Sequence, residues 1–114
     1  MIRVVIQSFD FRVLKYWHAQ YPTVRLAALV ENKKSLGGNL KDLGFEPSIY
    51  SPYYKAVTPE MVKSCHEKKI RLIPWTVNDE REMLALKGMG VDGFITDYPD
   101  RAAKYEMTLK IERK

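Results

Sequence analysis

The 114-residue sequence has one cysteine, two histidines and no long apolar run. The single cysteine, Cys65, excludes a disulfide within the chain and any zinc site built from several cysteines. No run approaches the roughly 18 apolar residues that a membrane-spanning helix needs. Residues 1–7 show neither the long apolar core nor the small-residue cleavage site of a signal peptide. These absences predict one ordinary globular domain over residues 1–114, with no membrane span.

Two further features that would indicate a binding function are missing. The Gly37-Gly38 pair is not followed by the lysine and hydroxyl residue of a phosphate-binding loop, and we interpret it as a turn. The net charge is +5, but the basic residues are spread along the chain, including its tail at 112–114. This distribution is typical of solvated helix faces, so no nucleic-acid partner is predicted.

Short apolar runs alternate with amphipathic segments along the chain. Buried strands are predicted at residues 4–6, 26–30, 72–75 and 94–96, with a small extra strand near Ile49. The first run begins almost at residue 1, which we interpret as a chain cut directly before a strand. Strands that alternate with helices indicate parallel pairing through right-handed crossovers. The sequence therefore predicts an α/β fold with parallel strands.

The helices between these runs are marked by their caps. Asp10, Thr58, and either Asn78 or Asp79 are predicted N-terminal caps, and Gly90 is a predicted stop. The segment that ends at Gly44 is weaker because it contains two glycines, and we predict a short or broken helix there. A final helix is predicted after residue 99, through about residue 110.

Polar and aromatic side chains follow the predicted strands, where parallel α/β proteins place their sites. They are Gln7, Ser8, Phe9, Glu31, Asn32, Ser51, Pro52, Tyr53, Tyr54, Trp75, Thr76, Asn78, Thr96 and Asp97. This set can orient a ligand, but acid–base catalysis needs a group that titrates near neutrality. His18 and His66 both fall in predicted helices, away from the strand ends. The sequence therefore predicts no catalytic residue and, with only two separated carboxylates at this end, no metal site.

For several of these residues, two interpretations remain open. Trp75 and Phe9 either form a wall of a substrate pocket or belong to the core. Asp97 either contacts a ligand or caps the next helix, and Glu31 is either a site residue or a solvated loop residue.

Three segments, in the same order and spacing, resemble one enzyme family. Residues 5–10 (VIQSFD) are similar to the strand-five segment of glycerophosphodiester phosphodiesterases. Residues 73–78 (IPWTVN) resemble the strand-seven motif of that family, and residues 90–99 (GVDGFITDYP) resemble its strand-eight signature. The segments at 51–54 and 57–60 are also similar, so the resemblance covers about residues 4–100.

The resemblance implies the C-terminal half of a TIM (β/α)₈ barrel of the PLC-like phosphodiesterase type. It implies hydrolysis of a glycerophosphodiester to glycerol 3-phosphate and an alcohol, with a divalent cation (calcium or magnesium) and two catalytic histidines. The family's His-Arg-Gly segment and acidic metal motifs are not in this sequence, and a complete barrel needs about 250 residues. What carries over is the substrate side: Gln7 and Phe9, Trp75, and also Ser8, Asn78 and Asp97.

We therefore expect a partial barrel domain that is inactive alone and binds no cation tightly. Open strand edges and an exposed apolar inner face predict self-association or pairing with a missing N-terminal half. The alternative is a non-catalytic binding or interaction module derived from the same barrel. A flavodoxin-like receiver domain is a weaker alternative, since acidic residues do not follow the first strand.

Overall fold

The computed structural model describes residues 5–98, which form one parallel sheet with helices between its strands. The strands are β1 (Val5–Ser8), β2 (Arg25–Val30), β3 (Ile49–Pro52) and β4 (Arg71–Leu72). The helices are α1 (Phe11–Gln20), α2 (Leu36–Leu43), α3 (Pro59–Glu67) and α4 (Glu80–Met89), and a 3₁₀ turn spans Tyr54–Ala56. The sheet order is β1-β2-β3-β4, and every pairing is parallel. The predicted parallel α/β fold is confirmed.

Three predicted strands differ in detail from the structure. The short strand predicted near Ile49 is confirmed as β3, but it lies inside the sheet and pairs with both β2 and β4. The predicted strand at 72–75 is regular only to Leu72, although Trp75 keeps an isolated bridge to Tyr53. Pro52 of β3 has no N–H group to donate to the Ile73 carbonyl, which interrupts the ladder at this point.

The predicted strand at 94–96 is an extended segment rather than a regular strand. Ile95 N–H donates to the Pro74 carbonyl (2.9 Å), and Val77 N–H donates to the Ile95 carbonyl (2.9 Å). These bonds place residues 91–96 beside the chain that follows β4, but the missing Pro74 donor prevents a continuous ladder. Residue 4 and the predicted last helix lie outside the described residues.

Side-chain caps fix the start of each α-helix. Asp10 Oδ1 accepts from Arg12 N–H (2.9 Å), Thr58 Oγ1 from Met61 N–H (3.1 Å), and Asp79 Oδ1 from Arg81 N–H (2.7 Å). These contacts confirm the predicted caps and select Asp79 over Asn78. Gly44 and Gly90 end α2 and α4 with φ of 86° and 97°, values that other residues rarely adopt.

The helix α2 is continuous, although both Gly37 and Gly38 lie in it. The two glycines occupy its first turn, where Ser35 Oγ accepts from Gly38 N–H (3.1 Å). The interpretation of this pair as a turn is therefore wrong. Capping and the buried side chains of α2 compensate for the low helix propensity of glycine.

The sheet has two differently packed faces. One face packs on the helices through a large apolar cluster that includes Leu14, Tyr50 and Met83. The other face carries a smaller cluster of Ala27, Leu29, Ile49, Ile73 and Ile95, with Val5 and Trp75 packed against it. We call this second face the inner face.

The expectation that the inner face is exposed is wrong. No member of its cluster is more than 9% exposed. These side chains come from neighbouring strands, and they pack against one another across the sheet. Within residues 5–98, no helix has the length and apolar character needed to cross a bilayer.

Cys65 provides a chemical probe of how α3 packs on the sheet. It is fully buried, and burial, with a smaller contribution from the Asp92 carboxylate, raises the pKa of its thiol to about 12. Because the thiolate is the reactive form, we expect native chain to resist Ellman's reagent at about pH 8 and guanidinium-unfolded chain to react fully. Rapid modification of the native chain would contradict this packing.

Candidate substrate-binding site

An aromatic cluster connects the carboxyl ends of three strands. Phe9 follows β1, Tyr53 follows β3, and Trp75 follows β4. The Phe9 and Trp75 rings meet edge to face with centroids 5.4 Å apart, and those of Tyr53 and Trp75 are 5.3 Å apart. We call these three residues the aromatic wall.

The wall is held by hydrogen bonds at Trp75. Its indole Nε1–H donates to the Val30 carbonyl at the end of β2 (3.2 Å), and its backbone N–H donates to the Pro52 carbonyl (3.1 Å). Trp75 is partly buried, whereas Phe9 is 49% and Tyr53 38% exposed. Trp75 therefore packs on the inner-face cluster and also belongs to an open aromatic surface. It has features of both interpretations made from the sequence, a core residue and a pocket wall.

A polar network joins the loop after β4 to the end of the last extended segment. Asn78 Oδ1 accepts from the Thr96 hydroxyl and from Asp97 N–H (3.0 Å each), and Asn78 Nδ2 donates to Asp97 Oδ2 (3.1 Å). Thr96 Oγ1 also accepts from Tyr98 N–H (3.0 Å). The segment that Asp97 was predicted to cap begins at residue 99, which lies outside the described residues.

The two polar residues of β1, Gln7 and Ser8, have different surroundings. Ser8 Oγ accepts from Asp10 N–H (2.9 Å), which shapes the turn into α1. Gln7 alternates with Val5 and therefore points to the inner face, level with its partner Ala27 on β2. Of the six predicted site residues, the structure brings Phe9 to Trp75 and Asn78 to Asp97, and it places all six at the carboxyl ends of the strands.

A cavity of about 310 Å³ opens beside Phe9, at the carboxyl end of β2. It is lined by Phe9, Phe11, Leu29, Val30, Glu31, Asn32, Lys34, Asn39 and Asp42. Lys34 Nζ is paired with Asp42, and this bond lowers the pKa of the Asp42 carboxyl. Of the predicted residues, Phe9 belongs to both the aromatic wall and this cavity.

Asn39 is a residue of this region that the sequence analysis missed. It is 1% exposed, donates to the Tyr50 hydroxyl (2.9 Å), and exchanges hydrogen bonds with Asn32 (2.9 and 3.1 Å). Its signal in the sequence is its helical spacing with Leu36, Leu40 and Leu43, which places an amide on an apolar face. Asn39 thus fixes the loop after β2 against the sheet.

Comparison with known proteins identifies the family. The model of the glycerophosphoryl diester phosphodiesterase family matches residues 1–101. The chain belongs to this family. It is 31% identical over 112 residues to a glycerophosphodiester phosphodiesterase of Bacillus altitudinis, covering 95% of this chain and 44% of the relative. A second one, from Caldanaerobacter subterraneus, is 31% identical over 86% of this chain and 40% of its own.

Solved structures agree on the fold. A glycerophosphodiester phosphodiesterase of Parabacteroides distasonis superposes with a TM-score of 0.73 at 30% identity, over 87% of this chain and 41% of its own. A phosphodiesterase of Oleispira antarctica, at 20% identity, superposes with a TM-score of 0.77 over 90% and 41%, and shows the fold alone. These neighbours have the TIM-barrel fold of the family. The chain spans less than half the length of the curated relatives it matches.

The two histidines of this family member lie away from the aromatic wall. His18 stacks on Phe45 (centroids 3.9 Å apart), and His66 Nε2 lies 2.9 Å from Asp92 Oδ2. Both are near the carboxyl ends of their helices, which in a parallel α/β unit lie at the opposite edge of the sheet from the strand ends. Neither imidazole can therefore reach a ligand on the aromatic wall.

The described residues do not fit the divalent cation that the family implies. Across residues 5–98, no three His, Cys, Asp or Glu side chains come together where they could hold a metal ion. A hard cation needs several oxygen ligands at short range, and Asp97 is bonded within the Asn78 network. No step of the chemistry can be assigned to a cation on these residues alone.

Replacing Asn78 tests the polar network. Asn78→Ala removes three hydrogen bonds, and we expect the free energy of unfolding to fall by about 1–3 kcal/mol in urea denaturation. The amide of Asp97 should also exchange faster with solvent, because its acceptor is lost. Thr96→Val is the matched control, since it removes the hydroxyl but keeps the amide bond. Unchanged exchange at Asp97 in Asn78→Ala would contradict the network.

Proposed function

We propose that this chain supplies the substrate side of a glycerophosphodiester phosphodiesterase, as the C-terminal half of its barrel. The reaction converts a glycerophosphodiester and water to glycerol 3-phosphate and an alcohol. The observation that carries the proposal is the aromatic wall of Phe9, Tyr53 and Trp75, which stands partly open at the carboxyl ends of the strands. In parallel α/β proteins, this is the edge where substrates bind.

The wall matches the chemistry of a glycerol moiety. The carbon chain of glycerol presents C–H groups that pack on the faces of Phe9 and Trp75. The glycerol hydroxyls require polar partners at the edge of the wall. Gln7, Ser8, Asn78 and Asp97 are the residues that we assign to those hydroxyls. Ser8 and Asn78 already bond to the backbone, so their positions are fixed before a ligand binds.

Catalysis requires groups from the rest of the barrel. Hydrolysis of a phosphodiester needs positive charge on the non-bridging oxygens and an acid for the leaving alkoxide. Among residues 5–98, no three His, Cys, Asp or Glu side chains come together to hold a metal ion, and both histidines are distant from the wall. We therefore infer that the cation and the imidazoles are held by the other half, and that this chain alone is inactive.

A buried hydroxyl on the inner face supports the idea of a missing half. Ser51 Oγ is fully buried and has no hydrogen-bond partner among the described residues. Ser51 alternates with Ile49 and so faces the barrel interior. Such groups are rare and cost about 1–3 kcal/mol, which a polar group from the opposite half of the barrel would remove.

The catalytic proposal has a two-part test on the chain itself. With glycerophosphocholine and calcium or magnesium, we expect no release of glycerol 3-phosphate above background. In Trp17→Phe, where Trp75 is the remaining tryptophan, we expect glycerol 3-phosphate to change the fluorescence saturably. The control is Trp75→Phe, in which Trp17 should not respond.

Each outcome of this test separates the alternatives. Metal-dependent turnover that Trp75→Ala abolishes would show that the chain holds its own catalytic machinery. Absence of any fluorescence response would refute the substrate-side role. Turnover that appears only after addition of an N-terminal half from a relative supports the proposal, whereas binding without turnover in that mixture favours the non-catalytic module.

Association with another chain is the second property that we expect of a half barrel. Within the described residues β1 pairs on one side only, and an open edge presents N–H and C=O groups to a partner strand. We expect the purified chain to form dimers or larger assemblies at micromolar concentration, measured by size-exclusion chromatography with light scattering. A stable monomer would contradict this expectation, and conversion of the assembly to a 1:1 complex would show preference for the N-terminal half.

A further inference from the structure

Four apolar side chains at the surface of α1 form a patch that shares no residue with the aromatic wall. Val13, Tyr16 and Tyr21 are exposed, and Trp17 is partly buried against the main apolar cluster. The Trp17 ring connects the patch, because its centroid lies 6.3 Å from that of Tyr16 and 4.9 Å from that of Tyr21. We call these four residues the α1 patch.

The α1 patch faces the open edge of the sheet. The helix α1 packs against both β1 and β2, and among the described residues β1 pairs with β2 alone. Lys15 and His18 mark the side of α1 that faces α2. Lys34 and, more weakly, Lys15 lower the pKa of the Asp42 carboxyl on α2, and His18 stacks on Phe45 just after α2. With about 3.6 residues per turn, the patch lies on the opposite side of α1, beside the free edge of β1.

This side of α1 carries no charge. The members of the patch and Gln20, which lies on the same side, are all neutral. Arg12 is paired with Asp10, and Lys15 faces α2. A helix that binds an anionic bilayer has lysines and arginines beside its apolar face, whereas few charges and several aromatic rings are typical of the centre of a protein–protein interface. The patch therefore fits a protein partner.

The spacing of the strands determines where the helix of such a partner lies. Neighbouring strands are about 4.8 Å apart, and a helix that covers two strands has its axis about half that distance inside the edge strand. If a second copy pairs its β1 with this one, the two α1 axes are therefore about 10 Å apart. Packed helices are about 8–10 Å apart, so strand pairing also brings the two patches into contact.

Two-fold symmetry makes this contact self-complementary. An axis perpendicular to the sheet pairs the two β1 strands antiparallel and keeps both α1 helices on the same face. The helices are then antiparallel, and the positive end of each helix dipole lies beside the negative end of the other. The same surface meets itself in such a dimer, and an uncharged aromatic patch does so without placing like charges together.

We propose that a second copy of this chain covers the α1 patch, in a two-fold dimer whose β1 edges pair. The inference rests on the proposed function, because the free β1 edge belongs to the half barrel, and it names the surface through which that half associates. The inner faces do not close on each other in this dimer, since their apolar cluster is already buried within one chain. Position 16 lies near the two-fold axis, because Tyr16 is at the middle of α1.

A charge placed at Tyr16 tests this dimer in sedimentation velocity at micromolar concentration. Tyr16→Arg brings two like charges together across the axis, and we expect the dissociation constant of the dimer to rise at least about tenfold. Leu84→Arg is the matched control, because Leu84 is 59% exposed and Tyr16 57%. Leu84 lies on α4, which follows β4 at the other end of the sheet from β1, so its variant should dimerise as the unmodified chain does.

Opposite charges at position 16 should restore the dimer. We expect Tyr16→Glu to dissociate as Tyr16→Arg does, and an equimolar mixture of the two variants to form a 1:1 heterodimer. This recovery requires the two α1 helices to meet near position 16. It therefore distinguishes the proposed contact from a variant that has lost its fold.

Four results would overturn the inference. They are an unchanged dimer in Tyr16→Arg, equal weakening in Leu84→Arg, no heterodimer in the mixture, and a monomeric unmodified chain, including one that binds phosphatidylglycerol vesicles or only the N-terminal half of a relative. The fluorescence response of Trp75 to glycerol 3-phosphate does not depend on the α1 patch. Its loss refutes the proposed function, whereas a dimer that does not respond to charge at Tyr16 refutes only this surface.

Discussion

The indole N–H of Trp75 makes the interaction on which the site depends. It bonds to the Val30 carbonyl, and Trp75's own backbone bonds to Pro52 and Tyr54. One residue thus joins the ends of β2, β3 and β4 after β4 has ceased to be regular at Leu72. Pro74 removes one bond to the 91–96 segment, and the side chain of Trp75 adds a separate connection to β2. Trp75 consequently links three strands at the carboxyl edge of the sheet.

The sequence was sufficient for the order and direction of the main elements. Continuous runs such as residues 26–30 indicate strands buried on both faces, and β2 is buried at every position after Arg25. Asp10, Thr58 and Asp79 are chemically specific caps, so helix starts were predictable within a residue. The site residues were also predictable in position, because parallel strands bring their carboxyl ends to one edge.

What could not be predicted depends on contacts between residues distant in the chain. The pairing of β3 on both sides is a tertiary property, and a four-residue run gives no indication of it. The Asn39–Tyr50 bond joins a helix to a strand eleven residues later, and only an apolar spacing interrupted by an amide points to it. Burial of the inner face is likewise collective, since Ala27 and Ile73 are shielded by residues of neighbouring strands.

The family relationship gives this asymmetric arrangement a physical meaning. The described residues place aromatic and polar groups at the carboxyl ends of the strands and keep both imidazoles at the opposite edge. A phosphodiester carries negative charge, which aromatic faces and amides cannot neutralise. The proposed division of the barrel into two halves would separate recognition from charge stabilisation.

Phe9 connects the aromatic wall with the cavity at the carboxyl end of β2. One edge of its ring meets Trp75, and the ring also lines the cavity that contains Glu31. The position of this ring is set by the turn that Ser8 makes with Asp10, not by core packing, since Phe9 is 49% exposed. The aromatic wall and this cavity therefore depend on the same short turn. A change in that turn alters both the aromatic wall and the cavity, whereas a change at Glu31 alters only the cavity.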